Sequence, residues 1–61
     1  MGSKKERIIR ELRNNYPEPL EHNELAFRAG LTTNEVRKLI SQISDRIIIH
    51  RDDRYVSYVL K

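Results

Sequence analysis

Apolar residues recur along this chain first at helical spacing and then, near its end, in alternation. Ile8, Ile9 and Leu12 fall on one side of a helix predicted from Ser3 to about Asn15. Ser3 and Glu6 carry the Ser-x-x-Glu spacing of a capping box at its start, and Pro17 stops it because proline cannot continue the hydrogen-bond ladder. The segment Tyr16-Pro17-Glu18-Pro19-Leu20 is expected to be extended, since a residue before proline is pushed out of the helical region. Leu20 then drops into the core as a very short strand. A second helix, Glu21 to Ala29, gathers Leu25, Ala26 and Ala29 on one face and closes at Gly30, a residue suited to a left-handed cap. A third, Thr32 to about Ser44, buries Val36, Leu39, Ile40 and Ile43, with Thr32 and Glu35 repeating the capping spacing.

The rhythm changes after Asp45. Arg46-Ile47-Ile48-Ile49-His50 and Tyr55-Val56-Ser57-Tyr58-Val59-Leu60 are rich in β-branched and aromatic residues, and Arg51-Asp52-Asp53-Arg54 separates them as a turn. A β-hairpin follows, with Ile47, Ile49, Val56, Tyr58 and Leu60 pointed at the helices. A slip of one residue would invert that set. No repeat or linker interrupts this order, so residues 1–61 read as one domain.

The central stretch carries the most specific signal. Glu24-Leu25-Ala26-Phe27-Arg28-Ala29-Gly30-Leu31-Thr32, with Val36 and Leu39-Ile40 beyond it, resembles the helix-turn-helix pattern of the winged helix-turn-helix DNA-binding superfamily. Each position has a physical reason. Ala26 is small where two helices cross, Gly30 makes the sharp turn, and Thr32 caps the next helix. The resemblance covers nearly the whole chain, and it points to a superfamily and not to a member. It implies an α+β fold: a three-helix bundle with a C-terminal two-stranded β-hairpin wing and a very short third strand near Leu20. It also implies that the third helix, residues 33–44, enters the major groove of duplex DNA.

By position, the residues offered to DNA are then Thr32, Thr33, Asn34, Arg37, Lys38, Ser41 and Gln42, joined by Arg51 and Arg54 at the wing. Arginine pairs bidentately with guanine, and asparagine or glutamine with adenine. Thr33, Ser41 and the amides at the helix start suit phosphates. Lys61 adds charge at the last position, while Asp52 and Asp53 partly offset the wing arginines. Helix 1 holds Lys4, Lys5, Arg7, Arg10 and Arg13 against Glu6 and Glu11. Its basic residues are expected to form a solvated face with pairs such as Arg7 with Glu11, although Lys4 and Lys5 could graze a DNA backbone. Arg28 reads as another solvated charge. Phe27 lies about 150° from the apolar face of helix 2, counting about 100° per residue. It either covers the Pro17–Leu20 segment or belongs to a dimer or partner surface. Tyr16 and Tyr55 are expected to pack.

Composition narrows the class. A net charge of +3 with pI ≈ 9.6 permits polyanion binding without requiring it. The chain has no cysteine, which removes disulfides, thiolate nucleophiles and Cys-ligated zinc. His22 and His50 lack metal-ligand spacing, Asp52-Asp53 reads as a solvated turn, and no Gly-rich phosphate loop or buried triad is available. No enzyme activity, cofactor or small-molecule ligand is expected. No apolar run reaches the roughly 18 residues of a membrane span, and an intracellular setting, cytoplasmic or nucleoid-associated, is expected. The opening Met1-Gly2-Ser3 reads equally as native sequence or a cloning remnant.

The expected function is sequence-specific or semi-specific binding of double-stranded DNA, as a transcription regulator or as a replication, plasmid or virus accessory factor. One such module offers roughly 600–1,000 Å² of contact, so a homodimer or a larger parent protein is expected. The alternative is a protein–protein interaction winged helix within a larger complex, favoured by the modest net charge, the wing aspartates and the outward Phe27. A third reading, single-stranded nucleic acid or RNA, would want aromatic platforms exposed on a sheet.

Overall fold

A computed structural model describes residues 3–61. Met1 and Gly2, and with them the origin of the opening tripeptide, lie outside the described residues. Helix α1 spans Lys4–Asn15, with Ser3 as its N-cap accepting from the Glu6 amide at 3.2 Å. Ile8 and Leu12 are fully buried, and Ile9 packs at the edge of the core. The chain leaves α1 by a tight turn. Glu18 N–H donates to the Asn15 carbonyl, and the Asn15 side-chain amide donates to the Glu18 and Pro19 carbonyls. Tyr16 is extended, as expected before a proline, and Asn15 supplies the partners that hold a turn across Tyr16 and Pro17 before the chain reaches Leu20. Tyr16, expected to pack, is 58% exposed, since Leu12 and Leu20 already fill the core on either side of that turn.

Leu20–Glu21 form strand β1, Leu20 buried and Glu21 doing double duty. The Glu21 carboxylate accepts from the Asn23 and Glu24 amides and so caps helix α2, His22–Ala29. A negative group there satisfies orphan donors and complements the helix dipole. Gly30 ends α2 at φ 69°, and its neighbour Leu31 returns a hydrogen bond to the Ala26 carbonyl. Helix α3 spans Thr33–Gln42. It stops earlier than the apolar spacing suggests: Ile43 caps it and a single 3₁₀ turn, Ser44–Arg46, redirects the chain while keeping Ile43 buried.

Strands β2, Ile47–Arg51, and β3, Val56–Leu60, form the hairpin. Its turn is one residue later than the sequence pattern suggests, closed by Asp52 N–H on the Tyr55 carbonyl, so Arg51 belongs to a strand. The sheet is antiparallel with β3 in the middle, flanked by β1 and β2. Ile47 faces Leu60, Ile49 faces Tyr58 and Leu20 faces Tyr58, which puts these side chains on the helix side as expected. Tyr55 has the opposite parity and is 59% exposed, not packed. The result is an α+β domain of three helices and a three-stranded antiparallel sheet, a layout compatible with a winged helix. Among the described residues, no helix is long and apolar enough to cross a membrane.

Candidate nucleic-acid interface

Helix α3 buries Val36 and Ile40 against the other helices, so its 3.6-residue period turns the remaining positions outward. Thr33, Asn34, Arg37, Lys38, Ser41 and Gln42 are all exposed. No other segment of the described chain covers that side. The helix start is rigid. The Thr32 hydroxyl accepts from the Glu35 amide and donates to the Glu35 carboxylate, which also accepts from the Thr32 amide. Thr32 therefore spends its hydroxyl on the cap. Ser41 similarly donates its hydroxyl proton to the Lys38 carbonyl at 2.7 Å, leaving it free only as an acceptor. Arg37 is held only by a long 3.4 Å contact to Asn34, so its guanidinium is nearly free.

A groove of about 450 Å³ runs between α3 and the hairpin. Arg37 and Ser41 line it from the helix, Arg51 and Arg54 from the hairpin, with His22 and Tyr58 at its inner wall. Four of the residues read from sequence as DNA contacts are thus brought together. Thr32, Thr33, Asn34, Lys38 and Gln42 stand outside the groove, and Phe27 is on α2 with 82% of its surface exposed. Such exposure leaves Phe27 covering very little of the Pro17–Leu20 segment. Arg51 pairs across the ladder with inward-facing Val56, which aims it at α3 and not at the outer sheet face. None of the three groove arginines forms an ion pair among the described residues. The one carboxylate that lines the groove, Glu21, is occupied with the α2 cap.

The inner wall holds a residue that sequence reading set aside. His22 Nδ1 lies 2.7 Å from the Tyr58 hydroxyl, and Nε2 lies 3.2 Å from the Thr33 carbonyl. A carbonyl can only accept, so Nε2 carries the proton, and in the neutral ring Nδ1 accepts from Tyr58. One side chain thereby ties α2, the central strand and the first residue of α3. Burial pushes the Tyr58 hydroxyl pKa up, and the nearby Arg51 and Arg37 charges oppose that shift. No local signal marks His22, because its partners Tyr58 and Thr33 are 36 and 11 residues away.

A further tie fixes α1 against α3. Lys4 bonds the Glu35 carboxylate, and this contact, followed by the Thr32 backbone bond, lowers the Glu35 pKa to about 2. Lys4, read from sequence as solvated or grazing DNA, is thus engaged within the molecule. No model of a known family matches this chain, and neither does any curated protein or any solved structure.

Proposed function

We propose that this domain is a winged helix that binds duplex DNA without catalysis, α3 lying in the major groove and the hairpin acting as the wing. The supporting observation is the exposed polar face of α3 continuing into a groove with three guanidiniums that form no ion pair among the described residues. Arg37, at the centre of that face, is the base-edge reader in this reading, with Asn34 and Gln42 beside it. Arg51 and Arg54 meet phosphates flanking the site. A role in transcription regulation, or as a replication, plasmid or virus accessory factor, follows from such binding.

Titration with duplex DNA at increasing salt tests this. The logarithm of the affinity should fall linearly with log salt, by about one unit of slope per phosphate contact. Arg37→Ala should cost about 1–3 kcal/mol and relax preference at one base pair. Undetectable binding at about 50 mM salt, where non-specific contacts are strong, would overturn the proposal. One observation favours a protein-partner reading: Phe27 is a large apolar side chain left 82% exposed on α2. In that reading Phe27 is part of a homodimer or partner surface.

A further inference from the structure

A second groove, sharing no residue with the first, lies along α1. It measures about 440 Å³ and is lined by Arg7, Arg10 and Arg13 from the helix, Arg46 from the 3₁₀ turn, Glu6 and the half-buried Ile9. The arginines of α1 recur every third residue, so each step rises about 4.5 Å and the set spans about 9 Å of helix. Arg46 is fixed from the other side. Its amide donates to the Ile43 carbonyl and its carbonyl accepts from Lys61 N–H. The expected Arg7–Glu11 pair is not formed. None of the four guanidiniums joins an ion pair among the described residues, where the two pairs present are Lys4–Glu35 and Arg28–Glu24. Four positive groups thus face a single carboxylate, a local surplus as large as the net charge of the whole chain.

We infer that this α1 groove is a second binding site for the phosphodiester backbone of nucleic acid, which lets one domain hold two duplex segments. Guanidinium forks match phosphate oxygens bidentately. A duplex strand presents a phosphate about every 3.4 Å of its axis, so about three fall along the roughly 9 Å arginine row, each open to more than one guanidinium. An acidic protein partner would want an apolar anchor, and Ile9 is the groove's only apolar lining residue. A membrane surface would want exposed large apolar residues beside the charges, and the other apolar residues of α1, Ile8 and Leu12, are in the core. Holding two duplexes rests on α3 as the first site; the groove's affinity for phosphate does not.

Sedimentation of the domain with excess short duplex reads the stoichiometry directly. The wild type should take two duplexes, and the Arg10→Glu, Arg13→Glu double variant one. Both positions are exposed, and circular dichroism verifies the variant's fold. A wild-type stoichiometry of one, with affinity lowered in Arg37→Ala and unchanged in the double variant, overturns the second site and leaves the α3 proposal standing. A stoichiometry of one whose affinity is unchanged by Arg37→Ala but lost in the double variant sustains the groove and removes α3. An unchanged double variant, or equal competition by a poly-glutamate peptide of the same charge, overturns the groove as a phosphate site.

Discussion

Gly30 is the residue whose type matters most for its backbone. It sits at φ 69°, and a Cβ built there would meet nothing within 4 Å. Any cost of Gly30→Ala is therefore backbone strain and not a clash. An L-residue in the left-handed region loses about 1–2 kcal/mol, and thermal or urea denaturation should show a drop of that size. Wild-type stability in the alanine variant would mean that the turn relaxes into another conformation. Gly30 was readable from its place after an apolar helical face. His22 was not, since its role depends on a tyrosine and a carbonyl brought to it by the fold.

At the scale of elements, the junction of α1 and α3 should respond to pH. The Glu35 pKa falls from 4.5 to about 2 because its charged form is bonded by Lys4 and by the Thr32 amide. A depressed carboxyl stabilises the fold fully above about pH 4.5, and the contribution is lost as pH falls toward 2. Acidification should therefore loosen the α3 cap, seen by NMR as movement of the Glu35 carboxyl and Thr32 amide signals with a shared midpoint. Because the pair is exposed, about 1 M salt should return that midpoint toward the ordinary value. A midpoint already near 4.5 at low salt would show that Lys4 makes no persistent contact. Thr32 and Glu35 were paired by sequence spacing. Lys4 entered only because α1 packs its start beside α3.

For the whole molecule, smallness sets the energetics. A chain of this length has a stability of roughly 3–9 kcal/mol, at 0.05–0.15 kcal/mol per residue. Leu25 is fully buried where the helices meet the sheet. Truncating a buried leucine costs about 2–5 kcal/mol, so Leu25→Ala should leave a marginally folded protein, with cooperative melting weakened or absent. A fully cooperative transition within a few degrees of wild type would mean that the core closes over the missing volume. The same core holds α3 and the hairpin at the separation that creates the first groove, so Leu25→Ala should also weaken any ligand bound there.

Periodicity and local chemistry were sufficient to read the three helices, the Ser3 and Thr32 caps and the Gly30 turn, because these depend on neighbours within one or two turns of chain, whereas the Glu21 cap of α2 and the hairpin register were not fixed that way. The polar side of α3 was legible for the same reason. Tertiary packing decided what local pattern cannot reach. It put Arg37 opposite Arg51 and Arg54, joined His22 to Tyr58, sent Lys4 to Glu35, left Tyr16 and Tyr55 in solvent, and set Arg46 beside the arginines of α1. Each of these depends on how elements distant in sequence are juxtaposed, and that is set by how the shared apolar core closes.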